Sequence, residues 1–532
     1  MWAHNNGLSA KAPSAILISQ DKNIVAFGYD AQLKYANLIE TSQEKDYLFF
    51  EKFKLILHNN RHLNYNTRIK DIHGNEMYAM DVFGLVIFYL KNHLIERLKG
   101  QDSLLSFDVN MIHWVLTVPA IWNDKAKQFM RKAAEKAGIQ SDQLTLALEP
   151  EAASLFCKTY QELVHRDQAV ITGKYLLLDL GGGTVDVTAH EIDDDGTLKE
   201  LHQATGGAWG GTSVDNEFNV FLLKIFSSRV MDVAYKRYPN EMLELQMDFE
   251  IKKRLFEPKQ VTPIAIKIPA CIIELFYEIS AQTVLEYLQN STMKHAVEFK
   301  RDKMLIQPEY FYNFFSSSLS SIIHHIETLL NRPNLAGIKT IVLVGGFSES
   351  LVVKEAICSA FRSLRVVNPN DCSLAVLKGA VLFGHNPRVI SSRICKYTYG
   401  VAINVPFVSG EHPESKRQVI KGVAICDDIF DIHLRIGDKA QIGKPVKQRV
   451  YQAVQGESLA ILEVFASRNE NPRFVTEESC FELGSLIINL PRAVSNNNTV
   501  NVALHYCGTE LAVVARDNNT GNVIKTTFDF LG

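Results

Sequence analysis

The segment that most constrains the fold is residues 176–188, which read LLLDLGGGTVDVT. An apolar run, three glycines and a second apolar stretch predict a strand, a tight turn and another strand. Glycines lack a Cβ, so their backbone N–H groups can approach an anion and form the concave nest that phosphates favour. Asp179 and Asp186 could hold a hydrated Mg²⁺, and the Thr184 hydroxyl could donate to a phosphate oxygen. The alternative is a β-hairpin whose glycines only make the turn.

Composition sets modest limits on the class of protein. A chain of 532 residues is too long for one hydrophobic core and predicts about two to four domains. A hydrophobic content of 46%, a charged content of 22% and a net charge of −3 predict a soluble globular protein with no electrostatic reason to bind nucleic acid or an anionic membrane. The eight cysteines form no CxxC pair, which predicts free thiols in a reducing compartment.

Targeting and membrane signals are absent from the sequence pattern. The longest apolar run, residues 82–90, is far shorter than a bilayer span and predicts a buried helix. Residues 1–12 lack the pattern of a secretory signal. We therefore expect a cytoplasmic protein without a membrane span, with the nucleus as a second compartment.

The pattern of predicted secondary structure changes near residue 394. Before that point, short apolar strands alternate with helical patterns, as in an α/β fold. After Lys396 the helical periodicity fades, and turns rich in Asn, Asp and Gly separate short strands, which predicts an antiparallel β-sandwich. The strand-like segments of this second part are 460–465, 486–490, 499–505 and 511–515.

Residues 115–120 (VLTVPA) predict a strand that ends at a proline. Asn123 or Asp124 can then cap a helix that runs to Ala137 and ends at Gly138. This strand, turn and helix could be scaffolding, because the pattern alone assigns no chemistry to Pro119.

Two further segments place polar or glycine residues at strand ends. Residues 146–153 (LALEPEAA) put Glu149 at a helix start, where a carboxylate usually only complements the helix dipole. Residues 340–349 (TIVLVGGFSE) predict a strand that ends in a glycine pair, followed by a helix over 351–361. Open α/β sheets bind ligands at such strand ends, so two glycine-rich ends suggest two halves that face one cleft.

Five motifs in this order carry a family resemblance: 118–124 (VPAIWND), 148–153 (LEPEAA), 179–186 (DLGGGTVD), 205–211 (TGGAWGG) and 344–349 (VGGFSE). The chain resembles the 70-kDa heat shock protein superfamily, and within it the divergent heat shock 70 kDa protein 12 branch. The resemblance is strong from Pro13 to Gly384 and weaker beyond. It implies an α/β fold: an actin-like (ribonuclease-H-like) two-lobed ATPase domain over residues 1–394, then a small antiparallel β-sandwich-like domain over residues 395–532.

The resemblance also implies ATP or ADP with Mg²⁺ as cofactors and assigns catalytic residues. Asp179 and Asp186 would support Mg²⁺ through water, and Thr184 would touch the γ-phosphate. Glu149 would couple to Pro119 in the switch between nucleotide states. Lys54 is the candidate for the lysine near the γ-phosphate, and Lys52 is the alternative in register.

The nucleotide-binding residues implied by the resemblance lie in four segments. Three are glycine-containing loops and one is a helix with Glu250, Lys253 and Arg254 on one face, which by itself would be an ordinary salt-bridged surface. The loop residues are Gly181, Gly182 and Gly183, then Gly210 and Gly211, then Gly345 and Gly346. In the adenosine motif, Phe347 and Glu349 replace the usual small and basic residues. We therefore expect the adenine-binding side of the cleft to differ from the family pattern.

The chain also departs from the family pattern. No Asp-x-Gly-Thr hairpin precedes Pro13, so the first of two phosphate loops is expected to be missing, through an incomplete gene model, an alternative start or natural design. Loss of one charge-stabilising donor can cost about 10²–10³ in rate, so hydrolysis should be crippled. The tail resembles a reduced peptide-binding sandwich, without the acidic-flanked leucine run after residues 386–387 and without a helical lid.

Two functions therefore follow from the sequence. One is an ATP-binding chaperone-like protein, with weak ATP hydrolysis, whose partners are client or signalling proteins. The alternative is a non-enzymatic adaptor or scaffold that senses nucleotide or binds none. A sugar or glycerol kinase of the same superfold fits less well, because it does not explain the β-rich tail.

Overall fold

A computed structural model describes residues 2–4, 7–9, 11–58, 60, 62–101, 108–164, 171–420, 422–445, 447–452, 459–489, 499–518, 520–527 and 531. Its helices are α1 Tyr29–Glu40, α2 Ala79–Gln101, α3 Asp124–Lys136, α4 Glu149–Val164, α5 Gly211–Arg237, α6 Pro239–Leu255, α7 Ala270–Ser280, α8 Val284–Asn290, α9 Pro308–Leu330, α10 Leu351–Ala360 and α11 Ala375–His385. None of them is long and apolar enough to cross a membrane.

Strands before residue 394 are β1 Trp2–His4, β2 Gly7–Ser9, β3 Ala15–Ser19, β4 Ile24–Phe27, β5 Tyr47–Glu51, β6 Arg68–Lys70, β7 Glu76–Tyr78, β8 Trp114–Val118, β9 Leu144–Leu148, β10 Gly173–Leu180, β11 Val185–Ile192, β12 Leu198–Gly207, β13 Ile264–Lys267, β14 Val297–Lys300, β15 Lys303–Ile306, β16 Thr340–Val344, β17 Arg365–Val367 and β18 Ile390–Ile394. Those after it are β19 Thr398–Pro406, β20 Arg417–Ile420, β21 Val423–Leu434, β22 Lys439–Gln441, β23 Gln448–Gln452, β24 Leu459–Ser467, β25 Cys480–Asn489, β26 Thr499–Cys507, β27 Glu510–Asp517 and β28 Val523–Thr527.

The largest sheet has the order β17-β16-β10-β11-β12-β18-β22. Leu176 and Leu178 on β10 point into one apolar cluster with α5, α9 and α10, while Tyr175 and Leu177 point into another with α4 and α11. Because side chains of a strand alternate between faces, β10 is buried on both sides and needs a nearly continuous apolar sequence. Helices therefore cover both faces of this sheet, as in an α/β fold.

A second α/β core lies nearer the chain start. It joins the small sheet β4-β3-β5 and the parallel pair β8-β9 with α2 and α3. Asn123 caps α3, since its side chain accepts the Ala126 N–H at 2.9 Å, and Gly138 follows the helix with φ +78. The predicted strand, cap and helix are confirmed here.

The apolar run over residues 82–90 is helical, as predicted, but only partly buried. Val82 and Phe83 of α2 lie in the core, whereas Phe88 and Leu90 are 44% and 40% exposed. One face of α2 packs against α3 and the other faces outward, so a continuous apolar run does not here mean burial on every side.

The part after residue 394 is built from two antiparallel sheets, β20-β21-β19-β24-β25 and β23-β26-β27-β28. Val401 and Val464 from the first sheet share an apolar core with Val502 and Val513 from the second. The four strand-like segments predicted there coincide with β24 to β27, except that Leu490 lies outside the described residues.

The sheets also cross the predicted boundary at residue 394. β18 pairs in parallel with β12, and β22, which comes from the later part, pairs with β18 so that Arg393 faces Ala440. The Arg393 guanidinium forms a two-pronged ion pair with Glu151 at 2.5 and 2.8 Å, and both side chains are 5% exposed or less. The Arg131 guanidinium holds Glu510 in the same way. We call this region the junction.

Candidate functional site

The predicted strand, glycine turn and strand are present as β10 and β11. Asp179 and Asp186 lie directly opposite each other in this antiparallel pair and are 8% and 2% exposed. The Gly181 N–H donates to the Thr184 carbonyl at 2.9 Å and closes the turn. Directly opposed residues share one face of a sheet, so the turn holds two buried carboxyl groups close together.

The environment of these two carboxyl groups disfavours their charged forms. Burial, followed by the nearby Glu149 charge, raises the pKa of Asp186 to about 8 and that of Asp179 to about 6. Asp186 Oδ2 accepts the Ile121 N–H at 3.4 Å, while the buried Oδ1 accepts no hydrogen bond from the described residues. A cation would relieve this cost of burial, and Mg²⁺ with its retained waters needs few protein carboxylates.

Lys54 and Glu149 form an ion pair beside the carboxyl groups. Lys54 lies in a 3₁₀ turn after β5, Glu149 is the first residue of α4, and Lys54 Nζ is 3.0 Å from Glu149 Oε1. Burial lowers the pKa of Lys54, but the Glu149 charge, with Asp179 and Asp186, outweighs this and raises it. The alternative, Lys52, instead lies where its charge acts on Asp215.

Two further glycine-containing loops meet the turn. A Cβ on Gly210 would lie 2.6 Å from the carbonyl oxygens of Gly181 and Gly182, so only glycine allows this approach. The Gly211 N–H donates to the Gly181 carbonyl at 3.2 Å. Gly345, with φ +88, would place a Cβ 2.5 Å from Asp179 Oδ1.

Gly182 contrasts with these packed glycines. Apart from its chain neighbours, no atom of the described residues lies within 4 Å of the position that a Cβ on Gly182 would take, whereas a Cβ on Gly183 would lie 3.3 Å from the Leu55 side chain. Thr184, at the end of the turn, is partly buried. The tip of the turn therefore faces open space, which leaves room for a ligand beside the carboxyl pair.

The predicted charged face of α6 reaches this cleft. Lys253, whose side chain is 8% exposed, contacts Asp215 at 2.6 Å and Glu250, and also lies 3.4 Å from the Gly211 carbonyl. Arg254 lies 2.7 Å from Glu250 and is half exposed. Burial raises the pKa of Glu250, but the charges of Lys253 and then Arg254 outweigh this and lower it.

On the far side of the cleft, the acidic residue Glu349 follows the glycine pair Gly345 and Gly346 by three positions. Glu349 is exposed and close enough for its charge to act on Arg254. Gly346 lies near Lys11, because a Cβ on Gly346 would be 3.9 Å from Lys11 Nζ. The structure therefore brings the predicted site residues together around one cleft.

Sequence reasoning missed Lys11, Ile121, Asp215 and Lys396. Asp215 lies one helical turn after Gly211 and could have been found by that spacing. The Lys396 ammonium donates to the Ile121 carbonyl at 2.8 Å, so one residue links Asp186 to the β-rich part. Nothing local in the sequence indicates that contact. In the part of the chain described, no three His, Cys, Asp or Glu side chains are arranged to hold a metal ion by themselves.

Comparison with known proteins identifies the family. Residues 52–403 match the family model described as Hsp70 protein. The chain belongs to the Hsp70 family. This confirms the resemblance seen in the sequence, and Hsp70 membership implies the actin-like, two-lobed ATPase fold that the two α/β cores are consistent with.

Two types of relative illustrate the similarity. The chain is 31% identical to "Heat shock 70 kDa protein 12A" of Mus musculus, over 98% of this chain and 85% of that protein. It is also 31% identical to "Heat shock 70 kDa protein 12B" of Homo sapiens, with the same coverage. A "Chaperone protein HscA homolog" of Rickettsia typhi is 26% identical over 59% of this chain and 42% of its own length.

Proposed function

We propose that this Hsp70-family chain binds Mg·ATP or Mg·ADP in the cleft around the β10–β11 turn. The observation that carries the proposal is the opposed, buried pair Asp179 and Asp186 beside a glycine turn that faces open space. Gly181, Gly182 and Gly183 would offer backbone N–H groups to phosphate oxygens. The orphaned Asp186 Oδ1 fits a cation or its bound water.

The remaining site residues take supporting roles in this proposal. Asp179 and Asp186 would hold Mg²⁺ through water, and the ion would neutralise charge on the phosphates. Thr184 would donate its hydroxyl to a phosphate oxygen, and Lys54 would place its ammonium near the terminal phosphate. Glu149 would keep Lys54 in position through their 3.0 Å ion pair.

The nucleoside would lie between α6 and the glycine pair that follows β16. Glu250, Lys253 and Arg254 would contact it from α6, with Gly210 and Gly211 on the phosphate side and Gly345 and Gly346 beneath it. Phe347 is buried and Glu349 is exposed there, so the base would meet a carboxylate where a guanidinium would otherwise stack.

The proposal includes weak hydrolysis of the bound nucleotide. Burial and Glu149 raise the pKa of Asp186 to about 8, and Mg²⁺ nearby would favour its ionised form, which could then accept a proton from the attacking water. Lys54 would meanwhile stabilise charge on the transferred phosphoryl group.

We also propose that residues 395–532 form a β-sandwich domain that binds other proteins, in the cytoplasm or nucleus, as a chaperone-like protein does. An adaptor that binds proteins without cycling is the second candidate. The observation that favours it is the junction, where one buried and one partly buried ion pair fix the β-rich part to the α/β part.

A calorimetric titration of the full chain with Mg·ATP tests the nucleotide proposal. We expect binding in the micromolar range, about −8 kcal/mol, for the wild type. Asp179→Asn should lose this binding, whereas Asp142→Asn, at an exposed carboxylate in the same part of the chain, should keep it. Folded wild-type protein that does not bind would overturn the proposal and favour the nucleotide-free adaptor, while phosphate release separates hydrolysis from binding.

A further inference from the structure

Lys11 lies in the same cleft, although the proposed function gives it no role. Its ammonium is 3.9 Å from the position that a Cβ on Gly346 would take. Its charge also acts on Asp179 and lowers the pKa of that carboxyl group against the effect of burial. The ammonium therefore lies near both the glycine pair and Asp179, and Gly345 of that pair itself borders the Asp179 carboxyl group.

The backbone around Lys11 is anchored to the core that carries Lys54. Ala12 packs against that apolar core, and its Cβ lies 3.0 Å from the position of a Cβ on Gly28. The Lys52 N–H donates to the Ser14 carbonyl at 2.8 Å, and β3 begins at Ala15. Pro13 restricts Ala12 to extended conformations. The Lys11 backbone is thus held by one α/β core while its side chain reaches the loop of the other.

The distribution of charge around the cleft indicates what this ammonium can bind. Lys54 is paired with Glu149, and Lys253 is paired with Asp215 and Glu250. Lys11 adds a further ammonium to the cleft beside the glycine pair, and this positive group favours an anionic ligand nearby. A phosphate chain at the turn would lie near this ammonium as well as near the N–H groups of the turn glycines. Phosphate is the kind of anion that a lysine binds as a point charge.

We propose that Lys11 binds the phosphate chain of the nucleotide and thereby links the two α/β cores across the cleft. This inference rests on the proposed nucleotide binding and adds a specificity: Lys11 selects for the phosphates and not for the base or sugar. A nucleotide would then bridge the core that carries β3 and the core that carries β16.

The test uses the full chain with Mg·ATP and with adenosine as probes, both measured by calorimetry. We expect Lys11→Ala to weaken Mg·ATP binding about tenfold to a hundredfold, the range for a lost hydrogen bond to a charged group. Adenosine binding should not change, and Lys11→Arg should retain most of the Mg·ATP affinity. Lys45→Ala is the matched control, because Lys45 is an exposed lysine of the same core.

The outcomes separate this inference from the proposed function. If the wild type binds Mg·ATP and Lys11→Ala binds it as well or more tightly, the role of Lys11 is wrong and the nucleotide site stands. If Lys11→Ala weakens Mg·ATP and adenosine equally, or Lys11→Arg fails to restore affinity, phosphate recognition is also wrong. If the wild type binds no nucleotide, both proposals fail. Because Lys11 is exposed, its replacement should leave the fold intact, which circular dichroism can check.

Discussion

The cleft and the junction both bury carboxylates, but the surroundings of these carboxylates differ between the two regions. At the junction, Glu151 and Arg393 satisfy each other through two contacts of 2.5 and 2.8 Å. In the cleft, Asp186 is equally buried, yet one of its oxygens accepts no hydrogen bond from the described residues and its pKa is raised to about 8. The protein completes the first arrangement by itself. The second is costly to the protein alone, and the Mg²⁺ and nucleotide proposed above would complete it.

The two regions should therefore respond differently to the loss of a carboxylate. Glu151→Ala leaves the Arg393 charge buried without its partner, and breaking such a pair costs about 3–5 kcal/mol. We expect a large fall in the urea midpoint and faster hydrogen exchange at β18 and β22. Urea unfolding and exchange mass spectrometry of the full chain measure both effects.

A double variant sharpens this prediction. Replacing both partners, as in Glu151→Leu with Arg393→Met, removes both buried charges and should recover much of the lost stability. Glu478→Ala is the control, because it removes an exposed carboxylate of the β-rich part and should leave the midpoint unchanged. A loss below about 1 kcal/mol for Glu151→Ala would show that the junction pair does not hold the two parts together.

A second carboxylate at the junction should make stability depend on pH. Glu200 accepts the Ile394 N–H at 2.8 Å and lies near Arg393, Glu151 and Lys127. Burial raises its pKa from 4.5 to about 7, although Arg393 opposes this. The folded state therefore keeps a proton that the unfolded state loses, so the free energy of unfolding falls as pH rises through this interval.

We expect the contribution of Glu200 to fall by an amount on the order of 3 kcal/mol between those two pKa values. Glu200→Gln cannot titrate, so the difference in unfolding free energy between wild type and variant isolates this group from Asp179 and Asp186. Urea titrations at several pH values measure the difference. Parallel pH profiles for the two proteins would contradict the assignment.

The sequence predicted the parts of the site whose geometry is local. The turn after Leu180, the Asn123 cap and the glycine pair at Gly345 each follow from residues within a few positions of one another. The two glycine-rich strand ends predicted two halves that face one cleft, and the order of five motifs added long-range information through the family resemblance.

The contacts that the sequence did not predict join distant residues. Arg393 and Glu151 are 242 positions apart, and no local pattern says which buried arginine meets which glutamate. No sequence pattern indicated that Lys11 lies in the cleft, because an isolated lysine close before a proline is ordinary surface composition. The pairing of β22 with β18 also depends on how the later sheets pack, which three residues cannot specify.

Two glycines in the cleft distinguish a position that needs close backbone packing from a position that leaves room for a ligand. Gly210→Ala would place a Cβ 2.6 Å from two backbone carbonyl oxygens, which must move apart, so we expect a loss of about 1–3 kcal/mol and of nucleotide binding. Gly182→Ala is the matched control, because a Cβ there would contact no other part of the described chain within 4 Å. It should leave stability nearly unchanged and weaken only Mg·ATP binding. Equal destabilisation by both variants, measured by urea unfolding, would contradict the view that the turn tip is open.

Asp186→Asn is expected to change stability least. The amide keeps the shape of the side chain and removes a carboxyl group that is expensive to ionise, so the urea midpoint at pH 8 should stay the same or rise. Mg·ATP affinity should nevertheless fall about tenfold to a hundredfold, as it does when support for a bound metal is removed. Calorimetry and urea unfolding on one preparation measure both quantities. If Asp186→Asn destabilised the protein as much as Glu151→Ala does, the Asp186 carboxylate would be structural. The contrast between a junction that the protein completes and a cleft that the proposed ligand would complete would then fail.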